Sequence, residues 1–335
     1  MKAPEEFTDT PVLIVGAGIA GLAAGRWLHD AGIGCRILEK SGGLGGRCAT
    51  RRFDGASFDH GAQFFTTRNC DLQALTLKWL EQGHLREWCR GFPLSGSAQS
   101  GVDGYPRYCS SPGMNQLPKL LAGDLDIEKN ILVTDIARHS NGWHVSSQCG
   151  RRWRSDFLVM TAPLPQTFAL LGNLIRQQLL DQFPELASIA YDPCFTLMLA
   201  LSSESTLEPP GAVREPVSGI DWIADNSIKH QTGRPAALTI HSGAGFTRRY
   251  FDAPHERVAA TIIDAVHPWL SSKVESWQLH RWRYARPRNP LAVATLALDD
   301  TYPLVLSGDY LSAPARIEGA FDSGVAAARS ILRQF

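Results

Sequence analysis

Three glycines in Gly16-Ala17-Gly18-Ile19-Ala20-Gly21 constrain this chain more than any other stretch, because of what flanks them. Before them, Pro11-Val12-Leu13-Ile14-Val15 is short and apolar, the pattern of a parallel strand buried on both faces. After them, Ile19, Leu22, Ala23, Trp27 and Asp30 are spaced as a helix from Gly18 to Ala31, closed by Gly32 and Gly34. Cys35-Arg36-Ile37-Leu38-Glu39 then reads as a second strand, which makes one right-handed βαβ unit. In such a unit the first glycine permits the tight turn and the second lets backbone approach a pyrophosphate. The third lets the helix pack close to the sheet. The helix N-terminus faces the phosphates, and an acid at the end of the second strand, here Glu39, accepts hydrogen bonds from ribose hydroxyls. A dinucleotide site is expected.

With 335 residues the chain is long enough for about two domains. Lys+Arg and Asp+Glu balance at 33 each, so there is no electrostatic footprint for nucleic acid or an anionic membrane. Seven cysteines are scattered singly, with no C-x-x-C pair and no Cys/His cluster at zinc spacing. They read as reduced thiols of a cytoplasmic protein without a metal site. Val12 to Leu28 is apolar, yet Glu5, Glu6 and Asp9 precede it where a signal peptide carries positive charge, and Arg26 cuts it below membrane-spanning length. It is read as a buried strand leading into a helix, with no membrane partner.

Further along, a helix is expected over Leu72–Gln82 within an otherwise loop-rich stretch, 70–115. Ile131–Ala137, Trp143–Ser147 and Trp153–Asp156 suggest a small antiparallel excursion. Phe157 to Met160 returns to a buried strand ended at Pro163. A helical stretch from Pro165 to Phe183 leads to a long strand, Cys194–Leu201. The region 165–295 alternates strands and turns around one amphipathic helix, Pro254–Leu270. The end closes with a strand and turn at Leu304–Asp309 and a helix over Ala315–Arg333, where Ile317, Ala320, Phe321, Val325, Ala328, Ile331 and Leu332 recur at three- and four-residue steps.

A second glycine-rich turn follows Glu39 at once: Lys40-Ser41-Gly42-Gly43-Leu44-Gly45-Gly46-Arg47. It would add donors and positive charge to a diphosphate. Gly45-Gly46-Arg47, followed by Asp59-His60-Gly61-Ala62-Gln63-Phe64, resembles the FAD signature of the flavin-containing amine-oxidase superfamily. Ser307-Gly308-Asp309, Glu318-Gly319-Ala320 and Ser323-Gly324 resemble that family's C-terminal FAD motif. The resemblance implies an α/β protein with a Rossmann-type FAD-binding domain (three-layer ββα) and a second α+β substrate domain, as in amine-oxidase and p-hydroxybenzoate-hydroxylase-like flavoproteins. It implies a discontinuous FAD domain over 1–69, 112–164 and 296–335, with 70–111 and 165–295 as the substrate domain. FAD would be held non-covalently by Gly16, Gly18, Ile19, Ala20, Gly21, Glu39, Lys40, Gly45, Gly46 and Arg47. Gly61, Ala62, Gln63, Phe64, Ile136, Thr161, Gly308, Asp309, Arg316, Glu318, Gly319 and Ala320 would complete the set.

Gly61 to Thr66, Ser111-Pro112-Gly113-Met114, Asp221-Trp222 with Asn226, Ile240-His241 and His280-Arg281-Trp282-Arg283-Tyr284 resemble the renalase-like branch of that superfamily, from about Val12 to Leu332. That resemblance implies an oxidase taking hydride from a 2- or 6-dihydro isomer of NAD(P) and reducing O2 to H2O2. Many amine oxidases place a lysine near flavin N5 on a strand corresponding to Asp192–Leu201, and here no lysine occurs between Lys129 and Lys229. A dihydropyridine is already a strong hydride donor and needs orientation more than acid–base help. Gln63, Asn226, His241, Trp282 and Tyr310 are the candidate substrate contacts, while Arg281 and Arg283 alternate with Trp282 as strand residues do. His60 departs from the apolar residue usual at its position. Two other readings keep the fold: an amine oxidase or alicyclic desaturase, and a non-catalytic flavoprotein.

Overall fold

A computed structural model describes residues 7–93, 102–233, 235–298 and 301–335. Glu5 and Glu6, used above against a signal peptide, lie outside the described residues, as does part of the loop-rich stretch, 94–101. Among the described residues no helix is long and apolar enough to cross a membrane. The chain forms two compact units.

The first unit comprises Met1–Gly46, Leu117–Ala190 and Pro287–Phe335. Its sheet runs in the order Leu296–Leu298, Leu304–Leu306, Arg152–Met160, Thr8–Val15, Cys35–Glu39, Ile127–Lys129, parallel except for the first, edge strand. Val12, Leu13 and Ile14 are fully buried, as a strand covered on both faces requires. Trp153–Asp156 and Phe157–Met160, expected as separate strands, are one. Arg152–Ser155 pairs antiparallel with Trp143–Ser146 on one side, while the strand runs parallel to Thr8–Val15 on the other. The expected excursion is therefore a meander, Val133–His139, Gly142–Ser147 and Arg152–Met160, anchored by buried Trp143 and Trp153. The single helix expected over Pro165–Phe183 is two, Leu164–Leu170 and Asn173–Gln182, parted at Leu171-Gly172. Leu171 is extended and bridges Ile136, which interrupts the helical ladder.

The helix after the glycine turn, Ile19–Asp30, packs along the C-terminal helix, Ile317–Leu332. Gly324 is the point of closest approach: a Cβ there would lie 2.2 Å from the Ala20 carbonyl oxygen and 2.9 Å from Ala23 Cβ. The edge-on contact of Trp27 with Phe321 lies on the same seam, at 5.3 Å between ring centroids.

The second unit comprises Arg47–Gln116 and Tyr191–Arg286. Its antiparallel sheet runs Ala212–Val217, Ile220–Asp225, Ala237–Ser242, Tyr191–Leu201, Val274–Pro287. Side chains alternate between its faces. Phe195, Leu197, Leu199, Ile223, Leu238 and Ile240 pack with Val258, Ile262 and Val266 of the helix His255–Val266. That helix ends earlier than expected, in a 3-10 turn at His267–Trp269 containing Pro268, which lacks the backbone N–H to continue it. Met198, Ala200 and Ala237 face the other way, against Phe58 of the hairpin Thr50–Phe53/Ala56–Asp59. This packing puts residues 47–69 in the second unit, whereas the division expected from sequence keeps them with the first. Residues 165–190 fall in the first unit rather than the second.

The loop-rich reading of 70–115 misses a strand pair. Cys70–Glu81 is a helix capped by Asn69, and Leu85–Gly91 pairs antiparallel with Val102–Ser110. Replacing Gly324 by Ala should cost about 1–3 kcal/mol of stability through overpacking. Urea unfolding of the variant beside wild type measures it.

Candidate active site

In the first unit the two glycine-rich turns come together. Gly16 has φ +107°, and a Cβ at Gly21 would sit 2.0 Å from the Gly16 carbonyl oxygen, so the helix approaches the turn as closely as backbone allows. Thr161, expected among the cofactor contacts, donates its hydroxyl to the Val15 and Gly16 carbonyls at 2.9 and 3.0 Å and so closes the turn from the neighbouring strand. Gly45 N donates to the Ala17 carbonyl at 2.8 Å, Gly45 bridges Gly18, and Gly46 is left-handed at φ +55°. Glu39 is buried, its Oε2 accepting from Ala17 N at 2.8 Å and its Oε1 from Ser41 N at 2.8 Å. Lys40, exposed, reaches Gln166 at 3.3 Å. Ile136 is buried on Val133–His139.

Two features of this turn fit FAD. A Cβ at Gly18 would meet no atom within 4 Å, and no side chain caps the helix that starts at Ile19. The first-turn amides of Ile19, Ala20 and Gly21 thus have no intrahelical acceptor, and the Gly18 position just before them borders open space, which suits a pyrophosphate. Gly18→Ala should leave the stability of the apoprotein unchanged, since φ is −73° there, yet fill that space. FAD affinity should fall at least about tenfold, roughly the loss of one charged hydrogen bond. Titration by flavin fluorescence, with thermal unfolding of the apoprotein alongside, separates the two effects.

At the C-terminal motif Ser323 Oγ lies 3.2 Å from Ser307 Oγ and accepts from Gly308 N at 2.9 Å, fixing the turn that carries buried Asp309 and Tyr310. A Cβ at Gly308 would meet the Tyr310 ring at 2.9 Å. Arg316 is the N-cap residue of the last helix, with Glu318 in its first turn, and the Ala320 amide bonds the Arg316 carbonyl. At Gly319 a Cβ would strike Ser312 Oγ at 2.2 Å.

In the second unit the Gly61 backbone lies against Arg47, where a Cβ would come within 1.9 Å of the Arg47 carbonyl oxygen. Ala62 N donates to that same carbonyl at 2.9 Å, and Arg47 Nη1 donates to the Ala285 carbonyl at 3.1 Å. Gln63 Nε2 bonds the carbonyls of Asp59 and Gly61, which turns Oε1 into the interior with no partner among the described residues. Phe64 joins Trp88, Phe92 and Trp222 in an aromatic cluster.

Trp282 stacks on His60 at 5.4 Å between centroids and meets His280 edge-on at 4.2 Å. The His60 carbonyl accepts from Trp282 Nε1 at 3.1 Å and Thr196 Oγ1 at 3.0 Å, and the His241 ring also bonds the His60 backbone. His60 and His280 were not among the expected contacts. The signal available was the even-numbered run Gln278, His280, Trp282 on a strand, whose side chains share a face. Arg281 and Arg283 lie together on the opposite face, their guanidinium carbons 4.9 and 4.7 Å from the Phe251 ring centre. Residues two apart on a strand point the same way, so neither one is singled out. Asn226, expected to contact substrate, is an internal cross-link instead. Its Oδ1 accepts from Asp59 N at 3.0 Å, and its Nδ2 donates to the Ala237 carbonyl at 2.8 Å and Thr239 Oγ1 at 2.9 Å.

Sequence reasoning also missed the charged group beneath this face. Asp59 and Lys229 are fully buried and 2.7 Å apart, with His230 Nε2 2.9 Å from the same carboxylate oxygen. Burial alone would raise the Asp59 pKa, but the Lys229 ammonium and the His230 bond hold it well below the usual carboxylate range. Burial pushes the ring histidines down, to about 3 at His60 and about 4 at His241 and His280, with Arg51 adding to the effect on His60 and His280. His230 is lowered by burial against the pull of Asp59.

The sign for stability follows from these shifts. Below the unfolded histidine value, near 6.5, the unfolded chain binds protons that the folded chain refuses, so stability falls as pH falls toward about 4. Each buried imidazole contributes up to about 1.4 kcal/mol per pH unit in that window, less for the partly exposed His280. Urea unfolding between pH 7.5 and 5 should show the loss, and His60→Phe should flatten the slope.

A family model described as flavin containing amine oxidoreductase matches residues 74–332, and one described as NAD(P)-binding Rossmann-like domain matches residues 14–76. A mouse (Mus musculus) protein named Renalase is 26% identical over 296 residues, covering 82% of this chain and 84% of that protein. Human (Homo sapiens) lysine-specific histone demethylase 2 is 43% identical over 61 residues, 18% of this chain and 7% of its own. Among solved structures, putrescine oxidase bound to putrescine superposes with a TM-score of 0.70 at 14% identity, covering 98% of this chain and 100% of that one. That likeness concerns the fold.

Proposed function

The chain belongs to the flavin-containing amine oxidoreductase family and is an FAD-dependent oxidoreductase, and from that premise we propose that it is a renalase-like oxidase of isomeric dihydronicotinamides. Its substrate is a 2- or 6-dihydro isomer of NAD(P), and O2 is the final acceptor. FAD, when bound, would supply the hydride acceptor and the route by which O2 is reduced to H2O2.

The observation that carries the reading is the uncharged ring face of the second unit. His60, His280 and Trp282 offer stacking surface, and burial keeps both imidazoles neutral at physiological pH. Hydride loss turns a dihydropyridine into a cationic ring. Indole and neutral imidazole faces accommodate that charge, whereas a protonated histidine would oppose it. Gln63 Oε1 and His241 Nε2, buried without partners among the described residues, are polar atoms available to orient such a ring.

Lys229, the buried lysine among the described residues, is sealed against Asp59 rather than free to serve as a base for an amine. Gln63, His241 and Trp282 would contact the substrate, and residues 61–64 and Arg47 the flavin. The match to Renalase over most of both chains supports the same reading.

Anaerobic mixing with β-NADH and with its 2- and 6-dihydro isomers, following flavin absorbance near ~450 nm, tests it. At least one isomer should bleach the flavin far faster than β-NADH. Trp282→Ala should lower kcat/KM for that isomer roughly tenfold, as loss of one stacking contact predicts. Bleaching by an amine panel and by no isomer would transfer the chain to amine chemistry.

A further inference from the structure

Asp59 has more bonded partners than any ordinary core residue needs. Its Oδ1 accepts from Thr50 Oγ1 at 2.6 Å and Met114 N at 2.7 Å, and its Oδ2 from Lys229 Nζ at 2.7 Å and His230 Nε2 at 2.9 Å. Its own amide donates to Asn226, and its carbonyl accepts from Gln63. The partners come from the strand Thr50–Phe53, from the turn before Gln116–Ala122 and from the short helix Asn226–His230. One carboxylate therefore ties three separate stretches of the second unit to the residue that begins Asp59-His60-Gly61-Ala62-Gln63.

This carboxylate is not a ligand site, because its four bonds leave no open position. Nor is Lys229 a base within reach of substrate. It has no exposed surface, and its ammonium lies 5.0 Å from the centre of the Trp88 ring as well as 2.7 Å from Asp59. Stability does not account for the pair either. Burying two ions costs several kcal/mol each, and an apolar pair of equal volume often does as well or better. What the charged pair adds is direction: hydrogen bonds from named donors hold one backbone position where apolar packing would tolerate several.

We propose that Asp59, clamped by Lys229 and His230, is a positioning latch that sets the 60–63 backbone, and through Ala62 the Arg47 carbonyl, for FAD binding. Gln63 follows directly, since its amide is oriented by the Asp59 and Gly61 carbonyls. Arg47 follows through the Ala62 amide and the tight Gly61 contact. The inference rests on the assignment of Arg47 and residues 61–64 to the flavin, and it is independent of which substrate the enzyme oxidises.

The test compares FAD binding with folding. Lys229→Met is titrated with FAD by flavin fluorescence, its visible-region circular dichroism is recorded, and the thermal unfolding of its apoprotein is measured. Ile262→Val and Ile262→Ala serve as controls, because they weaken the opposite face of the same sheet. The latch predicts that Lys229→Met raises the Kd for FAD at least about tenfold and alters the flavin dichroism. The Ile262 variants should stay within about twofold of wild type at comparable loss of Tm.

Should Lys229→Met fail to fold, the charge-neutral Asp59→Asn/Lys229→Met replaces it. That protein should unfold near the wild-type Tm and still bind FAD weakly. An unchanged Kd and dichroism in either Lys229 variant would overturn the latch, as would equal weakening in the Ile262 controls. Absence of saturable FAD binding by wild type would overturn the flavin assignment beneath it.

Discussion

The first unit depends on two places where backbone touches backbone with no room for a methyl group. Gly21 rests on the Gly16 carbonyl, and Gly324 rests on the Ala20 carbonyl one turn away. The helix Ile19–Asp30 is thus held from below by the turn it grows out of and from above by the last helix of the chain. Interiors are packed at crystal-like density, so such contacts admit one arrangement and not a family of them. The last segment must therefore come back to the first, which makes the unit discontinuous in sequence. The pinned helix also keeps its start at Gly18 uncapped and open. The open, uncapped helix end that a diphosphate would use is produced by the same contacts that fix the fold.

The two units handle polarity in different ways. In the first, fixed backbone dipoles and the buried carboxylate of Glu39, itself bonded by the Ala17 and Ser41 amides, do the work. In the second, a full charge pair is buried under the sheet while the imidazoles beside it are kept uncharged. Each suits its chemistry. A diphosphate needs donors at fixed positions, and the ring proposed as substrate, cationic once it has lost hydride, would need surroundings that do not compete with its charge.

The parts of the fold that could be read from sequence are those that depend on near neighbours. The βαβ unit, Glu39 and the C-terminal helix all follow from spacing within a few dozen residues. FAD followed from Gly45-Gly46-Arg47 and Ser307-Gly308-Asp309 as motifs. What escaped depends on distant partners. Leu85–Gly91 looks like polar loop because its pairing strand, Val102–Ser110, does not follow it directly in sequence. Arg152–Met160 looks like two strands because its two halves have different neighbours. Asp59 and Lys229 are 170 residues apart, and neither has a local pattern that announces burial. Asn226 sits beside Asp225, which caps its own short helix through the Ser227 amide. The Asp225-Asn226 pair could have suggested a helix start, but not that the Asn226 amide faces inward to hold Asp59.

Asp59 and His60 are adjacent in sequence yet meet opposite electrostatic requirements, and the Lys229 pair reconciles them. An isolated buried carboxylate next to His60 would favour the imidazolium, and Asp59 does exert that pull. Burial outweighs it, and the Lys229 ammonium 2.7 Å from the carboxylate opposes part of that field. The bonds that hold Asp59 thus also hold the backbone from which the His60 ring projects, and the ammonium paired with its carboxylate opposes the pull of that carboxylate on the ring.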